Sequence, residues 1–429
     1  MPKLTQYENL IMRGIRKMKP EIKQRIEQIK AGQVPDGYKK TKVGIVPSEW
    51  LYEKLEKFLI QHREISDYSN QYPVLTSSRK GIFLQSEYYN KEVASEDNTG
   101  YNVVPRGYFT YRHMSDDEIF KFNINNIVDK GIVSTLYPVF TTNGINDYFL
   151  QTVLNEGREF RRFAILQKQG GSRTYMYFDK LKQLKVCLPP LAEQEKIAKI
   201  LSAQDKVIEL KEKLLEEKKK QKKYLMQQFL TGKKRLPGFS RAWKEQKLKE
   251  FIIEHAEKTT ITNQYPVLTS ARSRLMYQTE YYTGKQVTTE DNVGYNVIPY
   301  GYITFRSRSD DGRFKFNKNT IIEKGMISYF YPVFTFDSQV DTDFMIELLN
   351  FSIYKKMFKY IEGTAQQVLS LKKLGNLKYN IPVLSEQRAI SKMLLCSNKE
   401  ISLLENVFEQ EKQKKKALMQ LLLTGIVRV

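Results

Sequence analysis

Cations placed directly after hydroxyl residues are the first chemically informative feature of this chain. The stretch TSSRKG carries Ser77, Ser78, Arg79 and Lys80, and TSARSR carries Ser270, Arg272 and Arg274. Hydroxyls donate to phosphate oxygens, while guanidinium and ammonium groups reach phosphates or the edge of guanine. FTYRHMSDD and ITFRSRSDD bring Arg112, Arg306 and Arg308 to the end of a strand-like run. Arg173 in KQGGSRTYMYFDKLKQL and Gln366 in IEGTAQQVLSLKKLGNL stand in glycine-containing polar stretches before a short helical segment. These residues form a candidate DNA-binding set. Any one arginine could equally close a surface salt bridge. The recurrence of basic and amide residues at matching places in two stretches favours contact with nucleic acid.

Catalytic equipment is scarce by comparison. The pair Asp116-Asp117, echoed by Asp310-Asp311, could hold Mg²⁺, but it reads first as a turn between strands. The only histidines are His62, His113 and His255, and none stands at metal-ligand spacing from another His or Cys. TGKK and TGKQ lack the upstream glycine and the hydroxyl residue of a phosphate-binding loop, and no G-x-G-x-x-G occurs. LPPL is a poor imitation of the Asn/Asp-Pro-Pro-Phe/Tyr motif of amino-methyltransferases. No catalytic residue and no metal site is expected.

The charge balance agrees with a nucleic-acid partner. Lys and Arg number 70 against 48 Asp and Glu, a net +22. That excess repels itself in a compact protein unless a polyanion relieves it, and it exceeds what solubility needs. No run approaches the roughly 20 apolar residues of a membrane span. The opening MPKLTQYENLIMRGIRK lacks the apolar core and cleavage site of a signal peptide, so a cytoplasmic location is expected. Cys187 and Cys396 are expected to be free, buried thiols. The excess of Tyr and Phe is expected mostly in the core.

These residues sit in a duplicated framework. NQYPVLTS occurs at Asn70–Ser77 and again at Asn263–Ser270. The match continues through GYNVVPRGYFTYR and GYNVIPYGYITFR, through STLYPVF and SYFYPVF, to LMQQFLTG and LMQLLLTG. A unit this long is a domain duplication and not a solenoid. Within each copy QYPVLTS, GYFTYR and GIVSTLYPVF read as strands, and NDYFLQTVLN and DTDFMIELLN as helices. Each copy ends in a helix of roughly 40 residues, about 60 Å long. The first follows Pro189-Pro190, is striped by Ile197, Ile200, Leu201, Val207, Ile208, Leu214 and Leu215, and stops at Gly232. The second follows Pro382, is striped by Ile390, Met393, Leu394, Ile401, Val407 and Phe408, and stops at Gly425. Stripes this narrow need a partner helix, which predicts an antiparallel intramolecular coiled coil. The lysine-rich runs KEKLLEEKKKQKK and EKQKKKA read as solvated faces or as a track for DNA. Ahead of the repeat, KPEIKQRIEQIKAG reads as a short basic helix followed by a polar linker.

The predicted fold class is therefore α+β. Two similar domains with mainly antiparallel sheets are separated by two long antiparallel helices in a pseudo-two-fold arrangement. Predicted boundaries are 1–45 for the extension, 46–187 and 236–381 for the domains, and 188–235 and 382–429 for the helices.

LPPLAEQEKIAKIL and IPVLSEQRAISKML, each between a domain of this size and a long helix, resemble the conserved regions of type I restriction–modification specificity subunits. The second motif departs from the pattern by lacking the paired prolines, and the two domains are more alike than is usual in that family. The resemblance implies two target-recognition domains, each reading half of a split double-stranded DNA site. It implies no catalysis by this chain. Partners would be two adenine-N6 methyltransferase subunits and ATP-driven restriction/translocase subunits, which bind the S-adenosylmethionine, ATP and magnesium. Domains so similar predict a nearly palindromic target with an unread spacer. A self-contained nuclease would instead cut DNA unaided when given metal, and a bare coiled-coil scaffold would show no steep loss of DNA affinity with salt.

Overall fold

A computed structural model of the chain describes residues 19–88, 97–168, 173–282, 291–358 and 367–429. It divides into two compact units, Met1–Lys211 with Val407–Val429, and Glu212–Asn406. Each unit thus contains one sheet domain and a piece of both long helices.

In the first unit a four-stranded antiparallel sheet runs in the order Asn123–Ile124, Phe109–Thr110, Val139–Thr142, Leu59–His62. The second unit repeats it as Asn317–Lys318, Ile303–Thr304, Val333–Phe336, Ile252–Glu254. The short strands carry aromatic residues that meet on the buried face. Phe109 and Phe140 stack with centroids 4.8 Å apart, beside fully buried Tyr111, Phe122 and Phe149. Phe305, Phe316, Phe334 and Phe344 play the same part in the second unit. Phenylalanines fill this core, where large rings bury most apolar area per residue, whereas among the described tyrosines Tyr111, Tyr295 and Tyr379 alone are buried, so the expected core placement holds for Phe and not for Tyr.

The twice-written octapeptide opens with a bend. Asn70 and Asn263 adopt φ of 59° and 56°, a left-handed conformation that asparagine tolerates. Asn98 clasps Asn70 by accepting from its backbone N–H at 2.7 Å and donating to its side-chain oxygen at 2.8 Å. Asn292 treats Asn263 the same way, at 2.7 and 2.9 Å. The strands that follow, Leu75–Ser78 and Leu268–Ser270, each form a hairpin with the next strand.

The long helices are Leu191–Phe229 and Leu384–Leu422, 39 residues each, and Gly232 and Gly425 just beyond them have φ of 68° and 69°. In the first unit Ile197 and Leu201 share a core with Leu418 and Leu422, while Gln204 donates to Glu411 at 2.8 Å. In the second unit Phe229 shares a core with Ile390, and Lys218 meets Glu400 at 2.7 Å. Within each unit the two helix segments therefore run antiparallel. The predicted stripe is only partly buried: Leu201 and Leu215 are covered, but Val207 and Leu214 are exposed. The domain core, and not a continuous heptad seam, covers one end of each helix. Lys218 and Lys219 of the lysine-rich run pair with Glu400 and Glu405, so part of that run links helix to helix.

The E-Q pair of each helix-start motif has a defined structural job. Glu193 accepts from Trp50 Nε1 at 3.1 Å and from Arg428 Nε and Nη2 at 2.6 and 2.8 Å. Glu386 accepts from Trp243 Nε1 at 3.2 Å and from Arg235 Nε and Nη2 at 2.7 and 2.6 Å. Gln194 takes the backbone N–H of Asn146, the N-cap of a domain helix, and donates to Pro189 O. Gln387 does the same for Asp341 and Pro382. The missing second proline is tolerated because the carbonyl is what counts: Glu193 N–H bonds to Pro190 O and Glu386 N–H to Val383 O, both at 2.9 Å.

Two expectations need correction. The polar linker folds as an antiparallel hairpin, Tyr38–Thr41 with Gly44–Pro47, whose Tyr38 hydroxyl donates to Gly425 O at 2.7 Å. Cys396 is exposed, because it lies on the side of its helix away from buried Leu394, while Cys187 is half-buried and pushed up to about 11 by burial; both are free. Both domain helices form where the pattern placed them, but they differ in continuity. Thr342–Phe358 is continuous, whereas its counterpart breaks at Gly157 into Asp147–Glu156 and Arg158–Leu166. At Gly157 an added Cβ would run into the carbonyl of Val153. Among the described residues no helix is long and apolar enough to cross a membrane.

Candidate nucleic-acid interface

The hairpin tips carry the cations. Asn123, buried beneath the first tip, donates through Nδ2 to Ser77 Oγ and Ser78 O, both at 2.9 Å. Asn317 repeats this toward Ser270 Oγ and Ala271 O, both at 2.8 Å. Ser77 itself is buried and donates to Thr110 O, and Ser78 closes the turn by bonding Gly81 O. These hydroxyls hold the tip, and the exposed Arg79, Lys80, Arg272 and Arg274 project from it.

The repeated Asp-Asp pairs form the opposing wall, and they are turns. Ser115 Oγ donates to Asp117 Oδ1 and to Ile119 O, both at 2.9 Å, and Ser309 Oγ serves Asp311 and Arg313 O alike. Asp117 then receives Arg79 at 2.6 Å, and Asp311 receives Arg272 at 2.7 Å. Arg79, then Ser115, hold the Asp117 carboxyl below the usual aspartate range. At Asp311 burial acts upward, yet hydrogen bonds from Ser309, the Arg313 backbone and Arg272 hold it low. Both pairs are therefore charged at neutral pH and loosen only as pH falls below the ordinary aspartate range. Among the described residues no cluster of three or more potential metal ligands occurs. The turns differ at Glu118/Gly312 and at Ile119/Arg313: Glu118 reaches φ 59° and is tethered by Lys168 at 2.6 Å, while at Gly312, with φ 69°, an added Cβ would lie 2.6 Å from the Gln367 side-chain oxygen.

In the second unit these parts enclose a cavity of about 690 Å³. Ser270, Arg272, Arg306 and Arg308 of the candidate set line it, as do Arg313 and Lys315, and among the described residues Asp310 is the one carboxylate in the lining. Burial first, with Lys222 adding and Glu347 opposing, holds the Lys315 ammonium below the ordinary lysine range. Arg308 lies over the Phe330 ring at 4.7 Å. Arg274 is tied to Glu280 and does not line the cavity. In the first unit Arg173 pairs with Asp116 at 2.9 Å, so adjacent carboxylates gather Arg173 and Arg79. Arg112 is exposed, next to buried Tyr111 on one side and half-buried His113 on the other. Gln366 lies outside the described residues.

Reading the sequence missed Arg313, Lys315, Tyr281, Tyr282, Phe330 and Tyr331 in the cavity of the second unit, and the exposed rings Tyr175 and Tyr177 in the first unit. Arg313 and Lys315 follow directly on the repeated Asp-Asp pair in DDGRFKF, which was a signal for those two; the aromatics gave none, because core and surface tyrosines look alike in a sequence.

Comparison with known proteins gives a consistent result. The family described as "Type I restriction modification DNA specificity domain" matches residues 126–220 and 240–409. The chain is similar to the putative type I restriction enzyme MjaX specificity subunit of Methanocaldococcus jannaschii, 24% identical over 432 residues, 92% of this chain and 97% of that one. The MjaVIII specificity subunit of the same organism is 28% identical over 283 residues, 58% of this chain and 63% of that one. Among solved structures, a type I restriction-modification S subunit from M. genitalium superposes with a TM-score of 0.52 at 13% identity, covering 88% of this chain and 96% of that one. A chain from a study of complex assembly and conformational transition of the type I R-M system gives 0.50 at 15% identity, covering 89% and 99%. At such identities the likeness is one of fold.

Proposed function

The chain belongs to the type I restriction–modification DNA specificity family, and from that premise we propose that its two domains each read one half of a split duplex DNA target. The observation that carries this reading is the same arginine-bearing tip-and-turn assembly built twice, Arg79 on Asp117 and Arg272 on Asp311. Tethered guanidinium groups lose little side-chain freedom when they meet phosphate or guanine, so binding is pre-organised. Matching parts in the two domains make a nearly palindromic target, interrupted by a spacer that the chain does not read. The long helices set that spacer and dock two adenine-N6 methyltransferase chains. Restriction/translocase chains join the same complex. S-adenosylmethionine, ATP and magnesium belong to those partners, and this chain contributes recognition without catalysis.

Mapping of methylated adenines in a host carrying the whole system tests the reading. Two short sequences, each with one modified adenine and separated by unread bases, are the expected result. A modified site with no gap, or no site dependent on this chain, would overturn it.

A further inference from the structure

At one edge the two units share a backbone frame but put different side chains on it. Met176 N–H bonds to His113 O at 2.7 Å, and Leu369 N–H bonds to Ser307 O at 2.9 Å. His113 N–H bonds to Leu136 O as Ser307 N–H does to Phe330 O. On this shared frame the first unit carries three rings in contact. His113 lies 5.0 Å from Tyr177 with planes 26° apart, and Tyr177 lies 5.8 Å from Tyr175 with planes 11° apart. Half of Tyr177 is exposed. The second unit has Ser307, Val368 and Ser370 at the matching positions, so the fold itself does not need the rings. What it carries instead, where the first unit has Met114, is Arg308 over Phe330.

His113 has a fixed tautomer. Its Nδ1 lies 2.6 Å from Leu136 O, and a carbonyl can only accept, so Nδ1 bears the hydrogen. When the ring is neutral, Nε2 is then an acceptor. In the major groove an acceptor suits the exocyclic amino group of adenine or cytosine, whereas a guanidinium suits the O6 and N7 acceptors of guanine.

We propose that the His113–Tyr177–Tyr175 stack is a base-reading element present in the first domain alone, selecting an amino-bearing base where Arg308 of the second domain selects guanine. The two half-sites then match elsewhere and differ at this position. The inference rests on the function proposed above, and it names the chemistry that separates one half-site from the other.

The test uses the assembled complex and duplexes of the mapped target with one base pair replaced at a time. For H113S, which installs the residue the second domain carries, discrimination should fall roughly 3–10-fold at one base pair of one half-site, the value of a single hydrogen bond, and stay unchanged in the other half-site. Arg308→Met should lose roughly 10–100-fold at the equivalent position of the other half-site. If H113S binds with every preference intact, the stack is structural and the proposal falls while split-site recognition stands. Should H113S not assemble, Y177S decides by the same criterion. A wild-type complex with no preference for the target over scrambled DNA would refute the proposed function itself.

Discussion

At the residue scale, the arginines of this protein are tethered before any DNA arrives. Arg79 and Arg272 remain largely exposed while each holds an aspartate hydrogen-bonded in turn to a serine. An exposed pair of this kind adds little to stability, so removing it should not unfold the domain. Its effect should appear in binding. Each of Arg79→Ala and Arg272→Ala should weaken binding and reduce the slope of log affinity against log salt by about one, the share of one phosphate contact. Titrations at several salt concentrations with unchanged slope and affinity for both variants would remove the tips from the interface.

The element scale is governed by the Trp–Glu–Arg nodes at the starts of the long helices. Glu193 and Glu386 are almost wholly buried carboxylates, each clamped in bidentate fashion by an arginine. In the second unit Arg235 comes from the segment just after the central helix; in the first, Arg428 comes from the segment just after the distal one. The hairpin and short helix ahead of the repeat hold that latter segment, through Tyr38 on Gly425 and Arg25 on Ile426 O at 3.1 Å. Breaking a buried pair leaves a charge without compensation and costs about 3–5 kcal/mol. Arg235→Ala should approach that range, and Arg428→Ala should cost about 2–4 kcal/mol, since Arg428 is the more exposed of the two. Denaturant unfolding of the purified chain measures both. Equal stability of variant and parent would mean that water or a neighbouring cation replaces the clamp.

For the whole molecule, duplication is the controlling fact. Each unit contains a sheet domain, a node and an arginine-bearing tip, so whatever docks on one unit finds a like surface on the other. The assembled complex should therefore hold two methyltransferase chains per copy of this protein, which native mass measurement reads directly; stable assembly with none would contradict the reading. Equivalent half-sites facing one side of a duplex lie about 10 base pairs apart centre to centre, and methylation mapping checks that spacing too.

Local pattern determined much of this. Prolines, glycines and apolar spacing placed both 39-residue helices, because helix ends and faces depend on nearby residues. The repeat itself revealed two like domains and located matching cations in each. Which of those cations line a common cleft was decided only by tertiary structure. Arg272, Arg306 and Arg308 converge on one cavity while Arg274 turns to Glu280, and no spacing rule separates them, since the outcome depends on which carboxylate a long flexible side chain reaches. The hydroxyls of Ser77 and Ser270 seemed placed for phosphate in sequence. In the fold they meet Asn123 and Asn317, partners nearly fifty residues away that only sheet formation brings near. The ring stack of His113, Tyr175 and Tyr177 has the same origin: a strand pair, Met114–Ser115 with Thr174–Tyr175, joins distant segments and leaves the rings in solvent.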